Sequence, residues 1–89
     1  MSEFKQDPKG YFLIEPRPSE KLLYAHYYDN NHNYVQSIYG HTTEEIYHAI
    51  IALDLISSLQ HAAYLGSELR KAEEAMKENK VYIQDEELK

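Results

Sequence analysis

The chain has 89 residues, 43% of them hydrophobic and 27% charged, which suits a single globular domain and leaves no room for a second independent core. Fifteen acidic residues outweigh nine Lys and Arg to give a net charge of −6, and the basic residues are scattered, so nucleic-acid binding is disfavoured. The absence of cysteine excludes disulfides, thiolate chemistry and cysteine-ligated metals.

Residues 1–10 read as a polar tail and turn, in which Asp7-Pro8-Lys9-Gly10 has good turn chemistry and no signal-peptide apolar run is present. Tyr11-Phe12-Leu13-Ile14 has high strand preference, and Glu15-Pro16-Arg17-Pro18-Ser19 is expected to interrupt it because proline donates no ladder hydrogen bond. Lys21 to Tyr28 forms a second strand and Tyr34 to Tyr39 a third, joined by the polar turn Asp29-Asn30-Asn31-His32-Asn33. Short connections in this order predict an antiparallel three-stranded meander over residues 11–39, with the hairpin Leu22–Tyr28/Tyr34–Tyr39 at its centre.

The helical region, residues 43–79, starts at a capping box with Thr42 as N-cap and Glu45 three residues on. Ile46, Ala49, Ile50, Leu53 and Ile56 make one core-facing stripe; Ala62, Leu65, Leu69, Ala72 and Met76 make another. The pattern admits one long helix or two consecutive ones joined near Ser57-Ser58. Two are favoured, because a single helix of that length outruns a three-stranded sheet. Residues 81–89 are expected to be a short strand or a tail. The fold class is thus α+β, an antiparallel meander packed against C-terminal helix. The most apolar window, Ala49 to Leu59, is broken by Asp54 and is far shorter than the ~20 residues that span a bilayer, so a cytoplasmic protein without membrane contact is expected.

Five histidines raise the question of a metal, yet none forms a His-X-His or His-Glu-X-X-His pair, and His41 and His48 lie about 10.5 Å apart along a helix. No metal site is expected. Asp54, flanked by apolar residues, is expected to be partly buried, either in a structural hydrogen bond or as a ligand anchor or base. On one helix face, His61, Tyr64, Glu68 and Lys71 follow at intervals of three, four and three, a file able to bind a polar heterocycle or to form a salt-bridged contact. Ala62, Ala63 and Gly66 give a smooth patch for close helix packing, most simply against a second copy of the chain.

Asp7-Pro8-Lys9-Gly10-Tyr11-Phe12, Gly40 with Thr42, His61-Ala62-Ala63-Tyr64-Leu65-Gly66, Lys71-Ala72-Glu73 and Tyr82-Ile83-Gln84-Asp85 together resemble an uncharacterised small domain family of archaea and cyanobacteria. In some members it lies beside pterin-binding, dihydropteroate-synthase-like domains, or near thymidylate-synthase-like proteins. The resemblance implies no reaction and no cofactor; it implies an accessory domain that binds a pterin-like molecule or a partner enzyme in folate or pterin one-carbon metabolism. The expectation is therefore an accessory or small-molecule-binding domain with candidate ligand residues Asp54, His61, Tyr64, Glu68 and Lys71. The alternatives are a homo-oligomeric or protein-interaction module, and a small enzyme using His61 with Asp54 or Glu68.

Overall fold

A computed structural model describes residues 10–85. The turn expected at Asp7 to Gly10 lies largely outside the described residues. Three strands, β1 (Tyr11–Arg17), β2 (Leu22–Tyr28) and β3 (Tyr34–Gly40), are followed by helices α1 (Thr43–Ala52) and α2 (Leu59–Lys77). The sheet order is β1-β2-β3 and both pairings are antiparallel, as the short connections predict.

β1 does not stop before Pro16, which pairs with Leu23. The reason is parity. Pro16 shares its edge with Ile14, whose N–H points away from β2, so its missing donor costs no bond of the ladder. The β1–β2 turn closes with Lys21 N–H donating to Pro18 C=O at 3.1 Å and Lys21 at φ 56°. In the next turn Asp29 Oδ1 accepts from the N–H groups of Asn31 (2.8 Å) and Asn33 (3.0 Å), while His32 takes the left-handed conformation at φ 68°. The backbone N–H of Asn33, then burial against it and the Asn31 N–H, leave the Asp29 carboxyl below its usual range.

Alternation along the strands divides the sheet into two faces. Phe12, Ile14, Leu23, Ala25, Tyr27 and Ile38 point inward and are buried with Ile46 and Ile50 of α1 and Leu65, Leu69 and Ala72 of α2. Both helices pack on this face. Tyr11, Leu13, Glu15, Tyr24, His26, Tyr28, Tyr34, Ser37 and Tyr39 fall on the other, which no described helix covers.

The helical region is two helices. Thr42 and Glu45 complete the capping box, each side chain accepting the other's backbone N–H at 3.2 Å. α1 ends at Ala52, two residues after Ile50; just beyond it Asp54 turns left-handed at φ 58° and Leu55 N–H reaches Ile50 C=O at 3.3 Å. Aspartate here does the work that glycine more often does past a helix end. Leu53 is consequently half exposed and Ile56 lies outside any helix, so the first stripe is shorter than its spacing suggests. Ser58 caps α2, its hydroxyl accepting from His61 N–H at 3.2 Å. Asn79, at φ 59°, ends α2 in the same way as Asp54 ends α1, with Lys80 N–H on Ala75 C=O at 2.8 Å. Residues 81–85 add no strand to the sheet.

Candidate functional site

α2 brings Tyr64, Glu68 and Lys71 together, but around the protein's own C-terminal segment. Glu68 is only 3% exposed, and accepts from Tyr82 OH at 2.7 Å and from Asp85 N–H at 3.2 Å. Lys71 Nζ lies 2.8 Å from Glu68 and 2.6 Å from Asp85, and Tyr64 OH donates to Asp85 C=O at 2.8 Å. Burial, then the Glu68 carboxylate, push the Tyr82 phenol far up, so it stays a donor. Asp85 first and Glu68 second raise Lys71, which stays a cation. Gln84 completes the clasp: its Nε2 donates to Phe12 C=O at 3.0 Å and to Tyr64 OH at 2.9 Å, while its Oε1 accepts from Ile14 N–H at 2.8 Å. One side-chain amide thus stands where the next strand's backbone would, along the edge of β1.

His61 and Asp54 are buried and exposed in the opposite sense to what the spacing implied. His61 is 1% exposed and faces the core, its ring 6.1 Å from Phe12 and 5.8 Å from Tyr64. Asp54 is exposed in the turn between the helices rather than buried, because the helix ends before it. Asp54 thus stands in the turn that precedes α2, and His61 in the first turn of α2. Gly66 faces α1 of the same chain: a Cβ there would sit 3.6 Å from the Tyr47 ring, an ordinary contact. Ala62 is half-buried and Ala63 exposed. The small-residue patch therefore serves in part the α1–α2 packing.

The outer sheet face has the more open chemistry. Across the strands, Leu13, His26 and Ser37 align in one row and Glu15, Tyr24 and Tyr39 in the next. His26 Nε2 is 2.8 Å from Glu15 Oε1 and Nδ1 is 2.7 Å from Ser37 Oγ, which is itself 2.6 Å from Tyr34 OH. Glu15 also accepts from Arg17 at 3.0 Å; Arg17 first, and His26 second, hold its carboxyl below the usual range. The Tyr24 ring stacks with Tyr39 (5.5 Å) and with His26 (5.7 Å), and the Arg17 guanidinium lies 4.0 Å over it. At the other end Tyr11 and Tyr28 stack at 5.3 Å and 11°. Tyr39 is 63% exposed and Tyr34 58%. Sequence reading missed this face, although the alternation in Leu22 to Tyr28 sets Tyr24, His26 and Tyr28 opposite Leu23, Ala25 and Tyr27.

A shallow groove of about 350 Å³ runs between the start of α1 and the later half of α2, lined by polar and charged groups including Thr43, Arg70 and Glu73. Within it Glu73 accepts from Thr43 N–H at 2.9 Å and from the Thr43 hydroxyl at 2.7 Å. Among the described residues, no three His, Asp or Glu gather in a way that could hold a metal ion, and no helix is long and apolar enough to cross a membrane.

The chain is similar to the uncharacterised protein MJ0107 of Methanocaldococcus jannaschii, with 41% identity over 80 residues, which are 90% of this chain and 15% of that protein. The chain therefore spans a small part of the length of this curated relative. No solved structure matches it. A family model, PterinBD-DUF4346, matches residues 6–85, which take in the whole of the described fold. The chain belongs to the PterinBD-DUF4346 family.

Proposed function

We propose that this chain is a non-catalytic accessory domain in pterin- or folate-linked one-carbon metabolism, and that it binds a flat, polar ring of the pterin kind on the outer face of its sheet. The observation that carries the reading is the row Glu15–His26–Ser37 set beside the stacked rings of Tyr24 and Tyr39. Stacked phenols offer a π surface to a heterocycle, and the carboxylate, imidazole and hydroxyl beside them offer acceptors and donors to its edge. The pterin-binding label in the family's name supports the ring class. The α2 cluster around Glu68 supports the choice of face from the other side, since its polar groups are already engaged by Tyr82 and Asp85.

A second reading, a protein-interaction module, is favoured by the flatness of the same face, because small-molecule sites are usually concave. Titrating the isotope-labelled chain with pterins and folates, followed by amide NMR, separates the two. Shifts confined to residues of β2 and β3 around His26, Ser37 and Tyr39 are expected. An unperturbed spectrum at millimolar ligand would overturn the ring reading and leave the interaction module.

A further inference from the structure

We propose a second binding site at the outer edge of β1, filled by the chain's own Gln84, for planar molecules that carry an NH2 group beside a hydrogen-bond acceptor. It goes beyond the ring site on the sheet face and stands or falls apart from it. The Gln84 amide is matched at its oxygen and at both its hydrogens. Oε1 accepts from Ile14 N–H at 2.8 Å, while Nε2 donates to Phe12 C=O at 3.0 Å and to Tyr64 OH at 2.9 Å. Two donors and one adjacent acceptor in a plane are the pattern of a primary carboxamide, and equally of an amino group beside a ring nitrogen. The edge reads that pattern whichever molecule brings it.

Pro16 limits the size of the occupant. A partner strand would go on to the next position along this edge, where Pro16 has no N–H to give, so strand pairing stops at Ile14. A short planar edge, by contrast, uses the Phe12 carbonyl and the Ile14 N–H in full.

The filler is also detachable. Residues 81–85 form no helix or strand, and Val81 and Ile83 are 87% and 77% exposed. Apart from the partly buried Tyr82, the segment is held by polar bonds, and a ligand of the same pattern replaces those of Gln84 one for one. Lifting the segment takes Tyr82 OH and Asp85 N–H from Glu68, but Lys71, 2.8 Å away on the same helix, stays to balance the carboxylate. A tethered side chain competes at an effective concentration on the order of millimolar, so free ligand has to reach that range to displace it.

Amide NMR of the full labelled chain tests this with nicotinamide and adenosine as probes, one for each source of the pattern. Nicotinic acid and inosine, which lack the NH2 group, are the controls. We expect the probes at about 1–20 mM to move the Ile14 amide of wild type, and Gln84→Ala, which removes the resident amide, to bind them at least tenfold more tightly. Nicotinic acid and inosine should leave Ile14 in place. A response to one probe alone supports the site and assigns the source of its ligand. Shifts confined to His26, Ser37 and Tyr39 belong to the sheet face; they count against this site and leave the ring reading intact. A wild-type Ile14 amide unmoved by either probe at about 20 mM overturns the proposal whatever Gln84→Ala does, since the segment is then a fixed part of the fold. Equal shifts with the controls overturn it too, as does a folded Gln84→Ala that binds the probes no more tightly than wild type.

Discussion

Tyr82 and Glu68 form the most consequential pair of side chains on the helical side of the sheet. The phenol is partly buried and the carboxylate nearly wholly so, and their 2.7 Å bond answers the cost of taking that carboxylate out of water. Tyr82→Phe removes one donor and leaves the acceptor in place, an imbalance that costs about 1–3 kcal/mol. Urea denaturation should show that loss, while Tyr39→Phe on the outer face should stay within about 0.5 kcal/mol of wild type. Gly66 gives a prediction of the other sign. Alanine fits at 3.6 Å from the Tyr47 ring, so Gly66→Ala should be neutral or stabilising by up to about 1 kcal/mol. Gly66→Leu should lower the melting temperature by crowding Tyr47. At this scale the sequence was half legible. The spacing of His61, Tyr64, Glu68 and Lys71 correctly gathers Tyr64, Glu68 and Lys71, but it places His61 and Glu68 beside the apolar stripe when both are in it. Polar side chains are assigned outward by default, and the partner that lets Glu68 go inward, Tyr82, lies fourteen residues along the chain.

Caps rather than apolar spacing set the length of each helix. The start of α1 was readable because a capping box is local: Thr42 and Glu45 stand three residues apart and bond reciprocally. Its end was not, because Asp54 stops it by adopting φ 58°, a conformation open to aspartate but not signalled by it as by glycine. The same residue looked buried only while the helix was taken to run through it. Ser58→Ala should cost about 1 kcal/mol by removing the cap of α2. Glu73 links the two helices and makes the link sensitive to acid. The Thr43 hydroxyl and then the Thr43 N–H hold its carboxyl below the ordinary value of 4.5, with Lys77 assisting. The unfolded chain therefore takes up this proton first as pH falls, so the bond's contribution is complete above about pH 4.5 and is lost as pH drops through the lower folded value. Melting temperatures followed from pH 6 to pH 3 should fall for wild type, with a shallower slope in Glu73→Gln.

Over the whole molecule, the meander and its two helices follow from patterns the chain displays openly: short turns, runs of strand formers and a 3.6-residue apolar period. The open face does not. The chain has nine tyrosines, and only the register of β1 on β2 and β2 on β3 shows that Tyr11, Tyr24, Tyr28, Tyr34 and Tyr39 share one side. Pro16 hid the full length of β1 until its place on an outer edge was known. That edge has a kinetic consequence. Ile14 N–H is bonded not to a neighbouring strand but to the amide oxygen of Gln84, 70 residues away. A contact closing so long a loop forms late in folding and, held by side chains at the margin of the domain, is among the first to open. Hydrogen exchange at Ile14 should therefore run ahead of exchange at the β2 amides and speed up further in Gln84→Ala, making this single amide a clock for release of the C-terminal segment while the sheet behind it stays closed.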